Sequence, residues 1–142
     1  MIFDSTNRFS DAQAITATAA STNVIDLGAT GRVVGGSANL VRDIGTGQSI
    51  PLRIQVVEAF NTLTSLAVSI QVDDNEAFSS PTTVDSQTIA LAGLTLGAVY
   101  NGLYFVPPKT NERYVRLNYT VVGTNPTLGK ITAGFVMAHQ EA

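Results

Sequence analysis

Cysteine is absent from the 142 residues, which excludes disulfides and thiolate metal sites, so the fold is held by packing or association alone. That suits a protein made in a reducing cytoplasm. Tryptophan is absent and aromatics make up 7% of the chain, which leaves a sugar-stacking cleft poorly supplied. Charged residues amount to 13%, with a formal net charge of −3, and the basic residues are scattered singly. A nucleic-acid footprint needs clustered Lys and Arg, so direct binding of DNA or RNA is not expected. Long apolar runs are lacking too. The opening Met1-Ile2-Phe3-Asp4-Ser5-Thr6-Asn7-Arg8 carries an acid and no apolar stretch behind it. It reads as neither a signal peptide nor a membrane span.

What is there is alternation. Leu66, Val68, Ile70 and Val72 fall on one face of a strand, with Ala67, Ser69, Gln71 and Asp73 on the other. Val115, Leu117, Tyr119 and Val121 alternate in the same way with Tyr114, Arg116, Asn118 and Thr120. A helix would scatter both apolar sets around its circumference. Burying the four aliphatic side chains of the first face is worth roughly 6–12 kcal/mol as an upper bound. Further strands are expected at residues 14–20, 23–27, 52–59, 82–89, 103–106 and 130–137, with the 52–59 strand forming a hairpin with the 66–72 strand. Pro51 suits the front of a strand, and Pro107-Pro108 ends ladder pairing. Residues 91–100 are apolar but interrupted by glycine, which leaves a loop, an interface or an edge segment. Residues 28–50 hold Gly28, Gly31, Gly35, Gly36, Gly45 and Gly47 and read as a long functional loop. The pattern predicts an all-β fold, an antiparallel two-sheet sandwich with jelly-roll connectivity favoured over a barrel or an immunoglobulin-like domain. It is expected to be a single domain over residues 13–142, preceded by an extended arm over residues 1–12.

Catalytic chemistry is sparse. His139 is the single histidine, and in a tail it lacks the rigid element that a Ser-His-Asp triad or a zinc site requires, so it is read as solvent-exposed. Asp73-Asp74-Asn75-Glu76 offers hard oxygens, yet the EF-hand spacing, its central glycine and its distal glutamate are missing. These side chains are read as bonding to local backbone in a turn. The glycines form no phosphate cradle. Neither a metal nor a cofactor is expected, and an enzyme is the least favoured class.

Three blocks carry a resemblance: Phe9 to Gly28, Asp73 to Thr83, and Glu112 to Tyr119. Together they resemble the capsid cement (decoration) proteins of tailed phages, the family that includes the cement protein of a Bordetella phage. The resemblance implies a jelly-roll subunit on the outer surface of an icosahedral head. There it would bind the major capsid protein, associate with itself as a homodimer or homotrimer, and clamp neighbouring shell subunits against the pressure of packaged DNA. Contact residues are then expected at Phe3, Arg8 and Phe9 on the arm and at Leu40, Val41 and Arg42 in the Gly-rich region. Core packing is the competing expectation for Phe9 and Val41. The alternative function is a β-sandwich receptor- or carbohydrate-binding module of a virion or cell surface, and a hydrolase with converging acids stands third.

Overall fold

The computed structural model describes residues 3–29, 31–39, 49–107 and 112–139. Among the described residues nine strands run in chain order: β1 Phe3–Ala14, β2 Ala19–Ala20, β3 Ile25–Asp26, β4 Ile50–Glu58, β5 Leu63–Asp73, β6 Thr82–Ala90, β7 Phe105–Val106, β8 Tyr114–Gly123 and β9 Lys130–Val136. One sheet has the order β1-β9-β4-β7, the other β2-β8-β5-β6, with β3 also paired to β8. Every pairing is antiparallel. Because β2 and β3 lie one after the other along β8, they are two pieces of one interrupted strand. Counted so, each sheet has four strands in the interleaved order of a jelly roll. Among the described residues no helix is long and apolar enough to cross a membrane.

The two alternating segments are neighbours. Leu66, Val68, Ile70 and Val72 of β5 face Val121, Tyr119, Leu117 and Val115 of β8 across the ladder. All but the partly buried Val121 are sealed from solvent. The other sheet returns Leu52, Ile54 and Val56 of β4, paired with Phe135, Ala133 and Ile131 of β9, so the inner faces of both sheets form one core.

Three expectations change. The arm over residues 1–12 is, from Phe3 onward, the margin strand β1, bonded to β9. Its cause is Phe9, which is fully buried and packs edge-on against Phe135 at 5.1 Å. The hairpin of residues 52–59 with 66–72 does not form, because β4 and β5 belong to different sheets. Residues 14–20 and 23–27 shorten to β2 and β3. Side chains replace part of the ladder there: the Leu117 amide donates to Ser21 Oγ at 3.1 Å, and the Val121 amide to Thr18 Oγ1 at 3.0 Å.

Residues 91–100 form a broken margin along β4. The Phe60, Val56 and Tyr100 amides donate to the Leu94, Ala98 and Ile54 carbonyls at 3.1, 2.8 and 3.1 Å. Leu94 and Tyr100 are buried, and the Tyr100 hydroxyl donates to the Leu66 carbonyl at 3.2 Å. This segment therefore continues β7 backwards as an irregular edge strand.

Candidate functional site

The sandwich has two ends. At one, β4 runs into β5 and β8 into β9 through turns at residues 59–62 and 124–129. The Asn61 side chain braces that end, its Oδ1 accepting the Thr127 and Leu128 amides at 2.9 and 3.1 Å. Gly129 admits the Phe60 ring there, since a Cβ at this position, φ +132°, would overlap it. Val57, Leu96, Val122 and Leu128 are exposed at this end.

At the opposite end β1 begins, β9 finishes, and the connections of residues 27–49, 74–81 and 107–113 leave the sheets. Here Arg113 grips Asp26 as a fork, Nε to Oδ1 at 2.8 Å and Nη2 to Oδ2 at 2.7 Å, with its guanidinium 4.8 Å from the Tyr114 ring centre. The guanidinium, together with the Gly28 amide at 2.7 Å, holds the Asp26 carboxyl down to about 2. Asp73 accepts the Asn75 and Ser80 amides, both at 2.9 Å, and these donors lower its pKa. Asn75 in turn accepts the Ala77 amide at 2.9 Å, so these side chains shape the turn as expected of them. Burial first, then the neighbouring Asp74 carboxylate, raises Glu112. Arg116 lies 4.1 Å from the Phe78 ring centre and donates through Nε to Gln71 at 2.9 Å. Among the described residues no three of His, Asp and Glu gather as a metal site.

From this end springs a tight turn at residues 33–36, closed by the Gly36 amide on the Val33 carbonyl at 2.9 Å and by Gly35 at φ +81°. The turn carries Val33 at 55% exposure and Val34 at 106%, two apolar side chains held out in water. Among the described residues none covers this β-branched pair raised on a glycine turn.

The expected contact residues separate. Phe3 is half-buried, its ring lying over Gly134, where a Cβ would come within 3.1 Å of it. Arg8 is half-buried and paired with Asp11 at 2.6 Å. Phe9 belongs to the core, so its side chain is not a docking group. Leu40, Val41 and Arg42 lie outside the described residues. His139 is not a free tail residue as expected: its Nε2 lies 2.8 Å from the Tyr104 carbonyl, and its ring packs on Tyr104 and Phe105 at 4.4 and 5.2 Å. Val33 and Val34 were missed by the sequence reading. Their signal was an apolar pair framed by Gly31 and Gly35-Gly36 in an otherwise polar stretch.

A family model described as Bbp16 matches residues 9–138 of the chain. No curated protein matches it.

Proposed function

The chain belongs to the Bbp16 family, and from that premise we propose that it is a structural protein of a tailed-phage virion, a cement (decoration) protein of the capsid. It sits on the outer surface of the icosahedral head, is made in the host cytoplasm, and clamps neighbouring major capsid subunits against the outward pressure of packaged DNA. It works as a homodimer or homotrimer, performs no catalytic step and touches neither nucleic acid nor membrane. The resemblance of three sequence blocks to tailed-phage cement proteins supports this reading, as does the jelly-roll scaffold.

The observation that carries it is the turn at residues 33–36 with its two exposed valines. Seating both in a pocket of a shell subunit is worth about 3–6 kcal/mol before the cost of ordering the loop. One such anchor is weak. In an oligomer, seating the first anchor brings the second to its pocket at high effective concentration, so release requires both to let go together. A standard interface of about 1,200–2,000 Å² then suffices if a few apolar side chains fill pockets.

Co-sedimentation of the purified protein with DNA-filled, cement-free heads tests the proposal. Saturable binding at a fixed ratio to shell subunits, with longer survival of the heads on heating, is the expected result. Protein left in the supernatant at concentrations well above that of the shell sites would overturn it.

A further inference from the structure

The margins of the two sheets do not close on each other along β6 and β7. Between them lies an open cleft of about 400 Å³, lined by Ser49, Asp85, Asn101, Gly102, Tyr104 and Phe105 among others. We propose that this cleft is a binding subsite for a neutral sugar residue, an adhesive function separate from any attachment to a capsid.

Its floor is preorganised. The Gly102 amide donates to Gln87 Oε1 of β6 at 2.8 Å, and a Cβ at Gly102 would come within 3.0 Å of that side chain. Residue 102 therefore fixes the distance between the two margins. Its wall is aromatic. Phe105 points away from the core, because its neighbour Val106 points in, and it keeps 46% of its surface exposed. The His139 ring lies 5.2 Å from it at 88° while packing on Tyr104, which braces Phe105. Its rim is polar. Asp85 is half-buried with Oδ1 accepting the adjacent Ser86 amide at 2.8 Å; no described residue engages Oδ2. Asn101 and Ser49 are exposed and line the same cleft.

This set matches one ligand chemistry. A carboxylate and a carboxamide lining one cleft accept from and donate to sugar hydroxyls, and a partly exposed aromatic ring offers a surface for the C–H face of a pyranose. The volume is at the lower end of small-molecule sites, enough for a mono- or disaccharide. The described lining has no cationic side chain and does have a carboxylate, which disfavours phosphates, sulfates and acidic sugars. The shortage of aromatics in the sequence is met here by local concentration, since two of the ten aromatic residues line one cleft.

The test uses the intact protein alone, so its outcome is independent of head binding. Amide chemical shifts are followed while methyl glucoside, methyl galactoside or N-acetylglucosamine is added, with choline as a cationic control. The expected result is saturable shifts confined to residues around 85 and 101–105, with a Kd on the order of 1–10 mM for at least one sugar. Phe105→Ala and the isosteric Asp85→Asn each weaken that binding about tenfold or more, and Phe105→Tyr, which keeps the ring, retains it. Unaltered shifts elsewhere in each variant report an intact fold. Absence of saturable shifts with all three sugars, equal binding by Phe105→Ala, or binding of choline in place of the sugars overturns the proposal.

Discussion

Ser10 and Tyr119 tie the two sheets together through a polar contact inside the core, and the direction of its hydrogen bonds fixes what each substitution should cost. Ser10 Oγ donates to Gln13 Oε1 at 2.7 Å, so its single proton is committed. The Tyr119 hydroxyl, 2.7 Å away, must then be the donor to Ser10. Gln13 continues the chain, its Nε2 donating to the Ala20 carbonyl at 2.9 Å and its Oε1 also accepting the Thr22 amide at 3.0 Å. Tyr119→Phe removes a donor and leaves Ser10 still bonded to Gln13, a loss of about 0.5–1.5 kcal/mol. Ser10→Ala is worse, since both residues are fully buried and the tyrosine hydroxyl is stranded without a partner, at about 1–3 kcal/mol. Adding Tyr119→Phe to Ser10→Ala removes the stranded group and should restore stability toward that of Tyr119→Phe alone. Urea unfolding of the four proteins measures this cycle. Equal or reversed single costs, or additivity within about 0.5 kcal/mol, would refute the assigned direction of the network.

Four further outcomes are expected. Val33→Ser with Val34→Ser should leave the unfolding midpoint within about 0.5 kcal/mol of the parent, because both side chains are exposed, and should abolish co-sedimentation with heads. Gly134→Ala should loosen β1 by about 1–3 kcal/mol, since the new methyl meets the Arg8 Cα and Asn7 carbonyl at 3.0 Å. Faster amide exchange over residues 8–14 is the readout. In acid, Asp26, held at about 2 against an ordinary 3.8, contributes stability that is present above about pH 4 and fades as the pH falls through 2. Asp26→Asn should flatten that part of a urea-midpoint profile. Glu112, raised by burial and by Asp74, has the opposite sign: its contribution is present at low pH and lost as the pH rises through its raised pKa. Glu112→Gln should therefore raise the midpoint at neutral pH.

Period-two alternation located β4, β5, β8 and β9 because each has one face in the core and one outside it, the condition under which a sequence records its own strand. It could not say which strands share a sheet. Nothing in Leu52–Val57 distinguishes a hairpin with β5 from a crossover to β9, because both bury the same three side chains. Phe9 is a lone aromatic in a polar stretch, and alternation is weak where β1 is bulged between Arg8, Ser10 and Gln13. That is why a core strand read as an arm. The segment before β7 was ambiguous for a physical reason: its ladder to β4 is interrupted by two short 3-10 turns at Leu91–Gly93 and Asn101–Leu103. The valine pair was visible as composition. The cleft was not, since Asp85 and Phe105 come from different sheets and meet only when β6 and β7 border the same seam.

Shell-bound copies of a β protein would stand close together at high local concentration, a setting in which bare sheet margins recruit one another into fibres. Three of the four margins here are broken. β1 slips register three times along β9, β2 and β3 are separated by a gap, and β7 is regular for only two residues. β6 alone runs nearly unbroken, and it has one register shift and a carboxylate at Asp85. The same irregularities that obscure these strands in the sequence let the subunit be crowded without polymerising through its own backbone.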